Sequence, residues 1–123
     1  MTHSELAGLR VLVVEDELAI AMMVEMALED QDCIIVGPYG SLDEALHAAR
    51  TETMDVALLD INLAGEMVFP AVEVLAERGV PFLLLSGYGD ARLPPDRRDW
   101  PVCAKPFKLD DLFARLARVV RGG

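Results

Sequence analysis

The chain has 123 residues, enough for one domain, and its 53% apolar content supports a core without disulfides. A net charge of −10 disfavours direct binding to nucleic-acid phosphates. With no uncharged apolar run of about 18 residues, and with a start (MTHSELAGLR) that lacks a basic region before an apolar stretch, neither a membrane span nor an export signal is predicted. The cytoplasm is the expected compartment.

Leu9 to Val14, LRVLVV, is a short β-branched run and reads as a strand buried on both faces. Glu17 to Asp30 contains good helix formers with no Gly or Pro, so a helix follows. Met22, Met23 and Met26 are assigned to its core-facing side, because a helix lying on a sheet needs one. Cys33 to Gly37 is the second strand, ended by Gly37-Pro38. Ser41 opens the next helix with a capping box, SLDE, in which Glu44 is the third helical residue; Leu42, Ala45, Leu46 and Ala49 form its buried side.

DVALLD, ending at Asp60, is the third strand. Val68 to Arg78 reads as a helix with Pro70 in its first turn and Gly79 as its stop. VPFLLLS, ending at Ser86, is the fourth strand. ARLPPDRRDW is irregular: Pro94-Pro95 cannot lie inside a helix, so any helix here is short or displaced. PVCAK is the fifth strand. In the last helix Leu109, Leu112, Phe113, Leu116 and Val120 recur at helical spacing, with Asp110 and Asp111 suiting its first turn.

Five continuous apolar strands alternating with helices predict an α/β fold, a parallel sheet covered on both faces. The chain reads as one domain with its core at about residues 9–120 and no output domain after it. Cys33 and Cys103 lie in apolar runs, with no CxxC pair and no nearby histidine, and read as buried reduced thiols. His3 and His47 make no metal pattern. Arg92, Arg97, Arg98, Lys105, Lys108, Arg115, Arg118 and Arg121 gather late in the chain. A solvated helix face is their plain reading, and docking of an acidic partner the sharper one.

In an open parallel sheet, ligands bind beyond the carboxyl ends of the strands. Those ends carry Glu15-Asp16, Asp60, Ser86 and Lys105 on strands one, three, four and five. Each has a dull reading alone, as a helix cap, a turn residue or a surface lysine. Four such ends on one side make a site. Three carboxylates there repel, at roughly 3 kcal/mol per pair for ~5 Å and an effective dielectric of ~20. An all-oxygen set asks for a hard cation, which points to Mg²⁺. A magnesium site with a lysine and a hydroxyl suits a phosphoryl group. Asp60 is then a nucleophile or a plain metal ligand.

VLVVEDE, VALLDINL, LLLSGYG and AKPFKLDDL together resemble the receiver domain of two-component response regulators, over Leu9 to Val120. The resemblance implies a doubly wound, flavodoxin-like sheet of order 2-1-3-4-5. It implies that Asp60 is the phosphoacceptor, taking its phosphoryl group from a histidine kinase or a histidine phosphotransfer protein. Asp16 would hold Mg²⁺ directly, Glu15 through a water, and Asn62 through its backbone carbonyl. Lys105 would pair with phosphoryl oxygens, Pro106 would follow a cis peptide bond, and Ser86 would move to the phosphoryl group. Gly87 would leave access open, and Asn62 and Tyr88 would tune hydrolysis. Such a protein is not an enzyme on other substrates; it assists its own phosphorylation and dephosphorylation, and signals through a downstream protein partner, with self-association allowed.

Two departures stand out. The aromatic that many receivers carry three places before the lysine is Val102 here, which leaves Tyr88 or Trp100 as substitutes. The loop after Asp60 has Leu63-Ala64 in place of a Met-Pro pair. SGYG with the missing aromatic loosely resembles stand-alone receivers with a Thr-Gly-Tyr-like motif. Three rivals remain. A haloacid-dehalogenase-type phosphatase needs an acid at Asn62, and a nucleotide-binding module needs a phosphate loop where EDELA stands. A receiver-like scaffold that is never phosphorylated would not need the acid, hydroxyl and lysine set.

Overall fold

A computed structural model describes residues 4–87 and 93–122. After a 3₁₀ turn at Ser4–Leu6 come β1 (Arg10–Val14), α1 (Leu18–Asp30), β2 (Ile34–Tyr39), α2 (Leu42–Thr51) and β3 (Val56–Asp60). Two two-residue strands, β4 (Asn62–Leu63) and β5 (Glu66–Met67), pair as a hairpin. Then follow α3 (Phe69–Glu77), β6 (Phe82–Ser86), a 3₁₀ turn at Pro95–Arg97, β7 (Val102–Ala104) and α4 (Leu109–Val120).

The main sheet is parallel throughout, ordered β2-β1-β3-β6-β7. Counting only its own five strands, this is 2-1-3-4-5, as expected. Alternation along the strands divides the core in two. Leu12, Val14, Ala57, Leu59 and Leu84 face α2 and α3, with Ala45, Ala49, Val72 and Leu75 opposite. Val11, Val13, Leu58, Leu83 and Leu85 face α1 and α4, with Val24, Leu28, Leu112 and Leu116 opposite. Burial on both faces explains why these strands read as unbroken apolar runs.

Two local expectations need correction. β2 does not stop at Gly37-Pro38 but runs on to Tyr39. It is an edge strand, so Pro38 removes no interior ladder bond, and a register shift between Leu12 and Val14 absorbs the extra residue. The methionines of α1 are not core: Met22, Met23 and Met26 are exposed, and Ala21, Val24 and Leu28 supply the buried face. The irregular segment is as expected: its helix is short, one 3₁₀ turn among the described residues, so α4 is the fourth and last α-helix described.

The capping box forms. Ser41 Oγ accepts from the Glu44 N–H (3.1 Å), and Glu44 Oε1 accepts from the Gly40 N–H (3.2 Å). Cys33 and Cys103 are buried free thiols; burial, with Asp32 nearby, pushes Cys33 up to about 11. No described helix is long and apolar enough to cross a membrane.

Candidate functional site

Parallel pairing brings the carboxyl ends of β1, β3 and β7 together. Asp60 lies opposite Leu85 in the ladder, so the last residue of β3 reaches the rim beside Ser86. Glu15 follows β1 directly, and its backbone N–H donates to Tyr39 O (2.8 Å), which fixes where its side chain starts. Lys105 follows β7, and its N–H donates to Ser86 O (2.8 Å). The three side chains therefore come from segments 45 and 90 residues apart.

They converge on the lysine. The Lys105 ammonium donates to Glu15 Oε1 at 2.8 Å and to Asp60 Oδ2 at 2.9 Å. Both carboxylates are buried, each with 4% of its surface exposed, and they are the two buried charged residues of the described core. Burial, followed by the hydrogen bond with Asp60, pushes Glu15 up to about 8, against the opposing pull of Lys105. Burial draws Lys105 down, but its bonds to Glu15 and Asp60 outweigh this and leave it above its ordinary value. A cation between two carboxylates offsets much of a desolvation cost that neither would bear alone.

Asp16, the next residue, is exposed at the mouth of the site. Its Oδ2 accepts from the Ala64 N–H (3.0 Å), tying the start of α1 to the β4–β5 turn. That turn has both central residues at positive φ, Ala64 at 52° and Gly65 at 93°, as a tight hairpin requires. Asn62 supports it: its Oδ1 accepts from the Gly65 N–H (2.7 Å), while its own N–H approaches Asp60 Oδ1 (3.4 Å). Asn62 is thus spent on shaping the loop and does not project as an acid–base group.

Carboxylate oxygens of Glu15, Asp16 and Asp60 lie within 4.8 Å of one another and could hold a metal ion. The set is all oxygen and partly open, which fits a hard cation such as Mg²⁺. A polar cavity of about 400 Å³ covers it, lined by Asp16, Glu17, Asp60, Asn62, Ala64, Gly65, Gly87 and Lys105. Glu17, Ala64 and Gly65 were not foreseen; the helix entry and the short hairpin put them there. Glu17, not Glu15 or Asp16, is the N-cap residue of α1, and it makes no side-chain cap.

Ser86 is half-buried at the end of β6 and does not line the cavity, where Gly87 forms the wall instead. The Lys105-Pro106 peptide is cis. Tyr88 lies outside the described residues. Val102 is half-buried, and Trp100 packs nearby, with its ring edge-on to Phe82 (5.6 Å, 90°) and 6.2 Å from Phe69. Trp100 is therefore part of the packing between β6 and the start of α3.

Comparison with known proteins agrees with this geometry. The profile of the response regulator receiver domain matches residues 11–117. The chain is 30% identical over 121 residues to the cell cycle response regulator CtrA of Brucella ovis, covering 92% of this chain and 50% of that protein. It thus spans about half the length of the curated relatives it matches. The solution structure of SdrG from Sphingomonas melonis Fr1 superposes with a TM-score of 0.80 at 38% identity, covering 97% of this chain and 99% of that one. The receiver domain of Erythrobacter litoralis PhyR gives 0.81 at 27% identity, covering 94% and 92%. SdrG in a BeF₃-activated conformation gives 0.74 at 36%, covering 98% and 99%.

Proposed function

Because the chain belongs to the response regulator receiver domain family, we propose that it is a phosphoacceptor in two-component signalling, with Asp60 taking a phosphoryl group from a histidine on a kinase or phosphotransfer protein. The observation that carries the reading is the Lys105 ammonium held 2.9 Å from Asp60 Oδ2 at the floor of an open, polar cavity. A carboxylate beside a cation, at the floor of a cavity open to solvent, can act as a nucleophile.

In the proposed step an Asp60 carboxylate oxygen forms a bond to phosphorus as the histidine N–P bond breaks, and the electron pair returns to the imidazole nitrogen. Lys105 is placed to move from the carboxylate to the phosphoryl oxygens, whose added charge is about −1.5 to −2. Ser86, at the adjoining strand end, would turn in to donate a hydrogen bond. Asp16 and Asp60, with Glu15 through a water and the Asn62 carbonyl, would hold Mg²⁺. That ion, when bound, screens the carboxylates and draws charge from the phosphoryl oxygens. SdrG is known in a BeF₃-activated conformation, and beryllofluoride imitates a phosphoryl group on a carboxylate; this supports the same chemistry here.

The outcome would be a shift between two conformations that changes contacts with a downstream protein, in the cytoplasm, rather than turnover of another substrate. Asn62 disfavours phosphatase chemistry, because an amide cannot give up and retake a proton. The test is mass spectrometry of the intact protein after incubation with acetyl phosphate and Mg²⁺. A gain of one phosphoryl group is expected, and it should vanish in Asp60→Asn and with EDTA. No gain with acetyl phosphate or with phosphorylated histidine kinases would leave a binding scaffold as the reading.

A further inference from the structure

The sulfur atoms of the described chain fall into two groups. Cys33 and Cys103 are buried free thiols. Cys33 Sγ donates to Leu6 O (3.3 Å), and burial pushes both thiols up, so neither offers much thiolate. Met54 is buried, with 8% of its surface exposed, and Met67 is half-buried. Met22, Met23 and Met26 are the reverse: 52%, 44% and 63% of their surfaces are exposed along α1.

That sorting decides where an oxidant acts. Thiol oxidation needs a thiolate and access, and the fold withholds both. A thioether has no proton to lose, so access governs its reaction. Among the described residues the three methionines of α1 are the open sites. In the step, the thioether sulfur attacks the terminal oxygen of a hydroperoxide. An S–O bond forms as the O–O bond breaks, and sulfur gives up two electrons. The departing alkoxide or hydroxide takes the proton of the transferred OH and leaves as alcohol or water. The product is a sulfoxide, whose oxygen accepts hydrogen bonds and which reductases return to the thioether.

Met23 is the one whose oxidation reaches the site. It lines an apolar groove of about 460 Å³ together with Ile20, Lys105, Pro106 and Phe107. Lys105 also lines the polar cavity over Asp60, so the two cavities meet at this residue. Its ammonium holds Asp60 Oδ2 at 2.9 Å and Glu15 Oε1 at 2.8 Å. A sulfoxide oxygen on the groove wall is a polar group set among apolar carbons. It is satisfied if the Met23 side chain swings out to water, or if it draws on the Lys105 ammonium. Either response disturbs residues 105–107.

We propose that Met23, flanked by Met22 and Met26, is a reversible oxidation site for hydroperoxides, and that its sulfoxide slows phosphoryl acceptance at Asp60 by disturbing residues 105–107. The second half rests on Asp60 being the phosphoacceptor; the first stands without it.

The full chain is treated with hydrogen peroxide, quenched with catalase and mapped by peptide mass spectrometry. Sulfoxide should form at Met22, Met23 and Met26 at least about tenfold faster than at Met54. Amide chemical shifts at residues 105–107 should change in wild type and stay unchanged in Met23→Leu, where Met22 and Met26 still oxidise. With acetyl phosphate and Mg²⁺, oxidised wild type should gain its phosphoryl group several-fold more slowly than untreated protein. A methionine sulfoxide reductase should restore the rate, and peroxide-treated Met23→Leu should keep the untreated one. Oxidation of Cys33 or Met54 as fast as Met23 overturns the proposal, and so do unmoved shifts at residues 105–107. An unchanged rate in oxidised wild type, or equal slowing in Met23→Leu, reduces the change to a surface lesion and overturns it too. If untreated protein gains no phosphoryl group, the reading of Asp60 fails instead, and the oxidation map with the shifts at residues 105–107 decides the site by itself.

Discussion

Lys105 Nζ lies 2.8 Å from Glu15 Oε1, and this contact joins the end of the last strand to the end of the first across 90 residues. It puts one cation against two buried carboxylates, so the protonation of Glu15 becomes a property of the fold. With Glu15 pushed up to about 8, the native state holds a proton that the unfolded chain has released above about 4.5. Stability from this group is fully present below 4.5 and is lost as the pH rises toward 8. Metal-free protein should therefore melt at a higher temperature near pH 6 than near pH 8.5. Glu15→Gln should flatten that difference, and thermal melts in EDTA across the range check it; an unchanged slope would remove Glu15 as its source.

Magnesium should oppose the same trend. Cation binding favours deprotonated carboxylates, so added Mg²⁺ should raise the melting temperature more at pH 8 than at pH 6. Asp16→Asn should weaken the effect. Melts at several metal concentrations give the apparent affinity, and equal stabilisation at both pH values would argue against a carboxylate site.

Trp100 is the one tryptophan in the chain, so its emission reports a single place. It packs against Phe82 and Phe69, with the Arg97 guanidinium 5.7 Å from its ring centre, and Arg97 in turn bonds Glu73 on α3. Phe69 begins the helix that follows the β4–β5 hairpin, so a shift at Asp60 has a short route to the indole. Acetyl phosphate with Mg²⁺ should change Trp100 fluorescence in wild type and not in Asp60→Asn. A silent Trp100 in protein that mass spectrometry shows to be phosphorylated would exclude it as the substitute for an aromatic at Val102. Trp100→Ala should cost roughly 2 kcal/mol for a half-buried ring.

Gly37 has φ +106, and a Cβ there would meet Tyr39 N and Val13 O at 3.0 Å. Gly37→Ala should destabilise the protein by about 1–3 kcal/mol in urea unfolding, through backbone strain and a steric clash with backbone atoms that have little room to give. A neutral result would mean that β2 can slide along the sheet edge.

Ser41→Ala removes the oxygen that accepts the Glu44 N–H, and should cost about 1 kcal/mol. The Ser41 hydroxyl bonds Glu44, so phosphoryl acceptance by Asp60 should continue at the wild-type rate, as intact mass against time would show.

The parallel sheet and the positions of its polar ends were legible in the residues. A strand buried on both faces is an unbroken apolar run, and the first polar residue after it marks its end. Val56–Asp60 and Phe82–Ser86 ended as read. β2 was shortened in the reading because Gly37-Pro38 stops a central strand, and local sequence does not say which strand is an edge. The hairpin at Asn62–Met67 was missed because each of its strands has two residues, too few for a period to register.

What the sequence determined by itself was the alternation of strands and helices and the chemical types at four strand ends, both local patterns of polarity. Only the tertiary structure decided which of those groups touch. Lys105 holds Glu15 and Asp60, Asp16 turns to the hairpin, and Ser86 stays off the cavity wall, because rotamers and neighbouring loops set the last few ångströms. It also decided which side of α1 meets the sheet. A mostly apolar helix carries only a weak periodic signal, and the sheet takes Ala21, Val24 and Leu28, which leaves the methionines facing outward with Glu25 and Glu29.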